Sequence, residues 1–517
     1  MTATIAARGA VTTPPAPLRA LAGVLCALAA VGVGHGVAGL IDPVASPILA
    51  VGSTLIDAAP TPAKEFAVRT FGTYDKPILI GSIGAVLLVF AATLGLIAWR
   101  RRLIALIGIS LLGVAGLAAA VFRDGPVAGI PSLVAGAVGV LAMLFLTRQA
   151  PSADDSPTAY ATARSRRTLL LGSAGVAALA AVGGAGGLAL DRVRQARIAT
   201  RRALGLPAPM SPAPDLPAGV QVEGVSPFTT PLDRFYRVDI SLVTPRIDAS
   251  TWSLRIDGMV DNPTTLSYDE LLALPLIERD ITLTCVSNEV GGPYVSTGRW
   301  LGVPFAEIIR RVGVRPGVDQ VFSYSSDSGF TCSTPYAAVS DGRDAMVVVG
   351  LNGEVLPDAR GFPARMLVPG LYGFVSATKW LERIEFTTYA ERTAYWTERD
   401  WATEAPILTQ SRIEVPKSLA TLPKDRPMIA GVAWAQRRGI AKVEIRIDEG
   451  EWQGTTLAAD GGIDLWRQWS FRYDGPPGLH SAQVRATDLT GTTQPEQRTK
   501  VFPRGATGWH QIQFTAE

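Results

Sequence analysis

Cysteine and histidine are scarce in this chain of 517 residues: Cys26, Cys285 and Cys332, and His35, His480 and His510. No CxxC or CxxCH occurs. That excludes zinc ribbons, typical iron–sulfur clusters and c-type haem attachment. Three scattered histidines argue against a His-rich metal site or a bis-His haem, so no haem or iron–sulfur cluster is expected in the chain. Charge is scarce too. Asp, Glu, Lys and Arg make up 18% of residues and hydrophobic ones 48%, too apolar for disorder and for a purely soluble enzyme. No GxSxG, HExxH, P-loop or dinucleotide glycine motif is found. The small net charge of +3 is unevenly spread: residues 1–199 carry 16 Lys+Arg against 8 Asp+Glu, and the rest 32 against 37. A nucleic-acid binder places positive charge on a folded face. Here it lies in the apolar half, so nucleic acid is not an expected partner.

The length predicts two or three domains. Apolar runs long enough to span a bilayer occur at 18–41, 77–99, 103–122, 126–147 and 168–190. Residues 1–199 thus read as a transmembrane domain of five helices. The short, Pro-interrupted stretch 44–58 reads as interfacial or re-entrant. Arg100, Arg101 and Arg102 follow the second run, and Arg148, Arg164, Arg166 and Arg167 lie between the fourth and fifth. The positive-inside rule puts both groups in the cytoplasm and everything after residue 190 outside. Ser165-Arg166-Arg167-Thr168-Leu169-Leu170 before a Gly/Ala-rich helix resembles a twin-arginine export signal, which serves proteins that fold before export. The bland alternative is an ordinary positive loop. No small-residue cleavage site stands out, so the helix is kept as an anchor.

Residues 200–227 form a Pro-rich linker. From 228 to 404 short strands, short helices and turns mix in an α+β pattern. Ser267-Tyr-Asp-Glu270 is a capping box, and Asn352-Gly353 fits a hairpin turn. From 405 to 517 the pattern is all-β, with strands at 429–434, 440–447, 466–473 and 478–487, and suggests a β-sandwich. The two cysteines of this half are its unusual feature. Cys285 ends a strand and opens Val286-Ser-Asn-Glu-Val-Gly-Gly-Pro-Tyr294, whose Gly-Gly-Pro turn lets backbone approach something bulky. Pattern alone favours a Cys285–Cys332 disulfide in an oxidising compartment.

Leu283-Thr-Cys285-Val-Ser-Asn288 through Gly291-Gly292 to Arg299-Trp300-Leu-Gly302-Val303-Pro304 resembles the molybdenum-ligand segment of the sulfite oxidase family of molybdopterin oxidoreductases. Leu356-Pro357-Asp-Ala-Arg360-Gly-Phe-Pro363-Ala-Arg365, Val368-Pro369-Gly370, Tyr372-Gly373 and Lys379-Trp380-Leu381 resemble its cofactor-cradling segment. Phe235-Tyr236 resembles an element of the periplasmic methionine-sulfoxide-reductase branch. Gly431-Val-Ala-Trp434, Val443 to Asp448 and Arg485-Ala-Thr-Asp488 resemble the family's dimerisation domain. The resemblance covers roughly 228–517 and implies a multidomain chain: an all-α transmembrane bundle, an α+β molybdopterin-binding fold, and an immunoglobulin-like β-sandwich.

What it implies about chemistry is specific. The cofactor is molybdenum–molybdopterin. Cys285 is the metal-ligating thiolate, the soft ligand such a metal takes. Arg365 and Lys379 hold the positions expected to bind the pterin phosphate. Arg360, Gly373, Tyr236 and Ser325 are further cofactor-binding candidates, and Cys332 a buried free thiol. Asn288 and Arg299, beside Cys285, are the catalytic candidates, with Glu289 and Tyr294 on the same loop. Sulfite oxidases follow the ligand cysteine with an Asn-Arg-Arg run. Here Asn288-Glu289-Val290 stands instead, and a carboxylate repels a dianion. The expected activity is therefore two-electron oxygen-atom transfer, reducing a small S-oxide or N-oxide. Oxidation of sulfite or another small sulfur compound is the alternative reaction. A non-catalytic membrane-anchored binding module retaining the fold is the alternative of another class. Expected partners are the small substrate, the membrane, a separate quinone-linked or cytochrome electron-transfer protein, and a second copy through the sandwich.

Overall fold

The computed structural model describes residues 14–148, 159–202, 205–327 and 329–517. The chain divides into two compact units, Met1–Arg197 with Ile240–Val243, and Ile198–Asp239 with Thr244–Glu517.

The named elements of the first unit are all helical: α1 (Ala16–Ile41), α2 (Pro47–Ala58), α3 (Thr61–Phe71), α4 (Asp75–Ala98), α5 (Arg102–Asp124), α6 (Ile130–Arg148) and α7 (Ala159–Arg202). Five segments are long and apolar enough to cross a membrane: Ala16–Ile41, Asp75–Ala98, Arg102–Asp124, Pro126–Thr147 and Leu171–Leu190. They fall on the five runs read from the sequence. The short apolar α2 follows a turn in which Asp42 Oδ1 accepts the Val44 N–H at 3.0 Å. Small residues let the helices touch. A Cβ on Gly32, Gly36 or Gly39 of α1 would meet the α7 backbone at Ala180, Gly183 or Gly187. Such ridges allow close helix packing where lipid offers no hydrophobic drive. The 165–170 segment lies within α7; its side chains fall outside the described residues.

The second unit begins with the linker laid along a strand edge: Met210 N donates to Leu276 O, and Glu278 N to Ser211 O. The α+β part follows. Its elements are β1 (Ser253–Gly258), β2 (Thr264–Ser267), α8 (Tyr268–Leu272), β3 (Ile277–Thr284), β4 (Val295–Pro304), α9 (Phe305–Val312), β5 (Gln320–Ser325), β6 (Thr331–Pro335), α10 (Tyr336–Ser340), β7 (Met346–Leu351), β8 (Glu354–Val355), β9 (Arg365–Leu367), α11 (Gly373–Ser376) and β10 (Leu381–Thr387). One sheet runs β2-β1-β10-β5-β6. The other runs β3-β4-β7-β8, with β9 also paired to β7. Ser267 caps α8 through the expected capping box, and β7 turns into β8 through Asn352-Gly353, both at positive φ.

The C-terminal part comprises β11 (Gln410–Val415), β12 (Thr421–Leu422), β13 (Met428–Trp434), β14 (Ile440–Ile447), β15 (Gln453–Gly454), β16 (Thr456–Leu457), β17 (Arg467–Arg472), β18 (Gly478–Asp488) and β19 (His510–Ala516). These make sheets β11-β13-β17-β16 and β12-β19-β18-β14-β15, which share one apolar core. The expected 404/405 boundary separates element types but not cores. Val432, Trp434 and Trp466 belong to the same buried cluster as Val286, Val295 and Val303. The sequence reading missed this because one strand face serves each core.

Candidate active site

Strand parity decides what β3 and β4 present. Leu283 pairs with Ser296, Ile281 with Gly298, and Asp280 with Arg299. Ile281, Leu283 and Trp300 pack with Phe235 in one buried cluster. Cys285, two residues beyond Leu283, continues that side. Its backbone N–H donates to Tyr294 O at 3.0 Å, and its carbonyl accepts from Asn288 N at 3.1 Å. The loop is thus short and closed. The Cys285 thiol is half-buried and free, as is the fully buried Cys332, so the disulfide favoured by the bare pattern is not formed. Burial pushes the Cys285 thiol up, while the Ser287 N–H and hydroxyl and the Lys379 charge pull it back. Burial first, and then Cys285, push the Tyr236 phenol well up. Tyr372 is shifted the same way by the same two causes, burial the larger. Tyr236 also lies 6.4 Å, ring to ring, from Tyr294.

Beside this thiol sits a buried cluster of cations. Arg360 donates to the carbonyls of Tyr236 at 2.6 Å, Leu232 at 3.1 Å and Phe235 at 2.5 Å. Arg365, 4% exposed, donates to Arg360 O at 3.1 Å and Ala377 O at 3.2 Å. Its guanidinium lies 5.2 Å from the Trp300 ring, and its Nε has no protein partner. Lys379 Nζ reaches Asp239 at 2.6 Å, the carboxylate that also takes Arg237 at 2.8 Å. Lys379 and Arg237 thus share one carboxylate, while Arg360 and Arg365 are held by backbone carbonyls. Burial lowers Arg360 and Arg365 to about 10, Arg237 adding to the first and Arg360 to the second. Burial lowers Lys379 to about 8 against the pull of Asp239. Buried cations lacking counter-charge are costly, and this arrangement answers an anion. Gly361 makes it possible. Its φ is +111°, and a Cβ there would press on Lys379 Cα at 3.0 Å and Arg365 Cβ at 3.1 Å.

The structure brings together Cys285, Tyr236, Arg360, Arg365 and Lys379. Gly373 joins them, since a Cβ there would lie 3.8 Å from Tyr236 Oη and Leu283. Asn288, 1% exposed, accepts the Tyr294 N–H at 2.7 Å through Oδ1; its Nδ2 has no protein partner. Two candidates are engaged elsewhere. Arg299 is held by Asp280 at 2.7 and 3.1 Å and by Pro214 O at 2.9 Å. It shares the parity of Thr297 and Thr282, away from Trp300, so it ties the sheet to the linker and is not a pocket residue. Ser325 Oγ accepts the Asp327 N–H at 3.1 Å and shapes a turn. Sequence reasoning missed Ser287, Asp239, Tyr372 and the rings under the cations, Phe235 and Trp300. Phe235, Trp300 and Tyr372 stand in the segments that carry the resemblance, and Ser287 lies two residues after Cys285; Asp239, which meets Lys379 across 140 residues, offered no such signal.

Residues 241–396 match the protein family described as "Oxidoreductase molybdopterin binding domain". The part of the fold that holds this site is thus similar to a molybdopterin-binding oxidoreductase domain. Relatives include a nitrate reductase [NADH] of Solanum lycopersicum, 28% identical over 52% of this chain and 36% of its own length. The sulfite oxidase of Gallus gallus is 26% identical over 55% of this chain and 72% of its own. The mitochondrial sulfite oxidase of Rattus norvegicus is 26% identical over 52% and 59%. Over about half its length the chain is thus similar to sulfite oxidases and a nitrate reductase, and residues 241–396 match the molybdopterin-binding domain. It spans between about a third and under three quarters of the length of these relatives. Among solved structures, the sulfane dehydrogenase SoxCD from Paracoccus pantotrophus is similar at 22% identity and TM-score 0.47, over 56% of this chain and 82% of that one. The family's cofactor is molybdenum–molybdopterin, and the donor set fits it: a phosphate-bearing group answers the excess cations, and a single thiol suits a soft metal. No group of three or more His, Cys, Asp or Glu among the described residues could hold a metal by itself.

Proposed function

We propose that the chain is a membrane-anchored reductase of small neutral S-oxides or N-oxides, working outside the cytoplasmic membrane. Cys285 is the protein ligand to molybdenum. Arg360, Arg365 and Lys379 hold the pterin phosphate, with Tyr236 and Gly373 closing on the pterin. The bound cofactor supplies two-electron oxygen-atom transfer. The net reaction takes one S-oxide, two electrons and two protons to one sulfide and one water. The carrying observation is the loop after Cys285: residues 286–298 contain no Lys or Arg and one Glu, Glu289. Lys379, the cation felt by Cys285, is engaged by Asp239. The loop thus offers a dianion no cation of its own, whereas Asn288 Nδ2 is a buried donor suited to a neutral oxide. Electrons come from a separate quinone-linked or cytochrome partner. The helices form a transmembrane bundle, the 165–170 segment acts as a twin-arginine signal, and the C-terminal sheets form an immunoglobulin-like sandwich through which two copies pair.

The relatives named sulfite oxidase favour sulfite oxidation as the second reading. The test is the purified full chain with its metal and pterin measured, beside Cys285→Ser. We expect near-stoichiometric molybdenum, a metal spectrum altered in the variant, and turnover of S-oxides with a reduced dye. Turnover of sulfite alone would select the second reading. A folded, exported protein without molybdenum would leave only a non-catalytic module.

A further inference from the structure

The ligand loop is held at its far end by a different part of the chain. Arg412 on β11 donates from Nη1 to Gly292 O at 2.6 Å. Its Nη2 donates to Glu414 at 2.5 Å. Glu414 in turn accepts the Ser226 N–H and hydroxyl, each at 2.7 Å. Gly291, at φ +76°, lies against the His510 imidazole so closely that any Cβ would collide with the ring. His510 is fixed in turn, since its Nδ1 accepts the Ile413 N–H at 3.0 Å. The bulky group that the Gly-Gly turn was expected to admit is therefore His510. Within the loop, Gly292 N donates to Glu289 O at 2.8 Å, and Asn288 Oδ1 holds Tyr294 N. The turn and Asn288 therefore move as one body, and Cys285, whose N–H donates to Tyr294 O at 3.0 Å and whose carbonyl accepts the Asn288 N–H at 3.1 Å, is tied to them.

We propose that the C-terminal sheets are a working part of the metal site: Arg412, braced by Glu414, and His510 clamp the 291–292 turn and so fix the position of Cys285, whose N–H and carbonyl are bonded within the same loop. Arg412 and His510 are positioning residues. The inference rests on Cys285 being the metal ligand, and hydrogen bonds to a ligand's own atoms are known to tune both affinity and the metal. Burial and the charges of Arg498 and Arg412 keep the His510 ring neutral, so it can stay an acceptor beside the arginine.

The test uses the full chain without cofactor. Iodoacetamide alkylation is followed at Cys285, with the buried Cys26 and Cys332 as silent references, alongside amide exchange of 286–294. The double variant Arg412→Gln/Glu414→Gln removes the clamp without leaving a lone buried charge. It should raise Cys285 alkylation about tenfold or more and speed exchange in 286–294 while β13 and β17 stay protected. Arg412→Lys should restore most of both. In the molybdenum-loaded protein the double variant should shift the thiolate-to-metal absorption and lower kcat more than it changes KM. Alkylation and exchange within about twofold of the parent, in a folded variant, would overturn the clamp. If the pair loosens β13 and β17, His510→Ala, read by the same two measurements, decides. A Cys285→Ser protein that keeps molybdenum and its spectrum would sink the ligand assignment instead, and leaves the alkylation result standing.

Discussion

At the scale of single residues, Lys379 carries the strain of the buried cation cluster. Its ammonium is buried against Trp380, 4.7 Å from the ring centroid, and shares Asp239 with Arg237. Burial holds it at about 8, below the ordinary 10.5. Between those two values the unfolded chain binds more protons than the folded one. Stability therefore rises with pH across that window. Below about 8 the penalty is fully present; at most it is about 3 kcal/mol. An anion on the cluster removes it. The cofactor-free protein should thus gain stability relative to Lys379→Gln as pH rises from 8 to 10.5. The difference between the two melting curves measures this and cancels the titration of other groups. A constant difference across the window would show that Lys379 is not strained. With cofactor bound, Lys379→Gln should lower pterin occupancy, because Arg237 cannot replace the lost charge at the same place.

At the scale of elements, legibility followed locality. The capping box of α8, the Asn352-Gly353 turn and most of β13, β14, β17 and β18 rest on periodicity and on turn residues a few positions apart. So they could be read from the chain. Cys285, Arg365 and Lys379 were legible through motif resemblance, and their grouping shows why those segments travel together. Arg299 was misplaced for a physical reason. Adjacent residues on a strand face opposite sides, so a position one step from Trp300 points to Asp280 and the linker. Arg412 and His510 were invisible because each touches the loop across more than a hundred residues. His510 offers a measurable consequence. Burial, aided by Arg498 and Arg412, lowers it to about 4 from 6.5. Its contribution is complete above about 6.5 and is lost as pH falls toward 4, a loss of about 3 kcal/mol. His510→Gln should flatten that part of the acid-stability curve. An equal acid loss in both proteins would show that the ring titrates freely.

At the scale of the whole chain, charge and apolar length argue together for one topology. Five spans are an odd number, so the two ends of the helical region lie on opposite sides of a bilayer. Arg100 and Arg101 sit between α4 and α5 and Arg102 opens α5, and fixing them in the cytoplasm would also place the N-terminal end of α1 there. In the proposed topology the same count would carry the 205–227 linker and the molybdopterin-binding part to the outer face. Moving a folded cofactor domain across a membrane would need a route that accepts folded cargo, the role proposed for the arginine pair at Arg166 and Arg167. A cysteine introduced at Gly205, which is exposed, should react with a membrane-impermeant maleimide in intact cells, whereas one at Arg101 should react only after lysis. Arg166→Lys with Arg167→Lys should abolish labelling at the introduced position 205 and leave the catalytic part protected from external protease. Labelling at 205 unchanged by the lysine pair would show insertion by the route for unfolded chains, with the cofactor acquired outside. Labelling at 101 in intact cells would invert the topology.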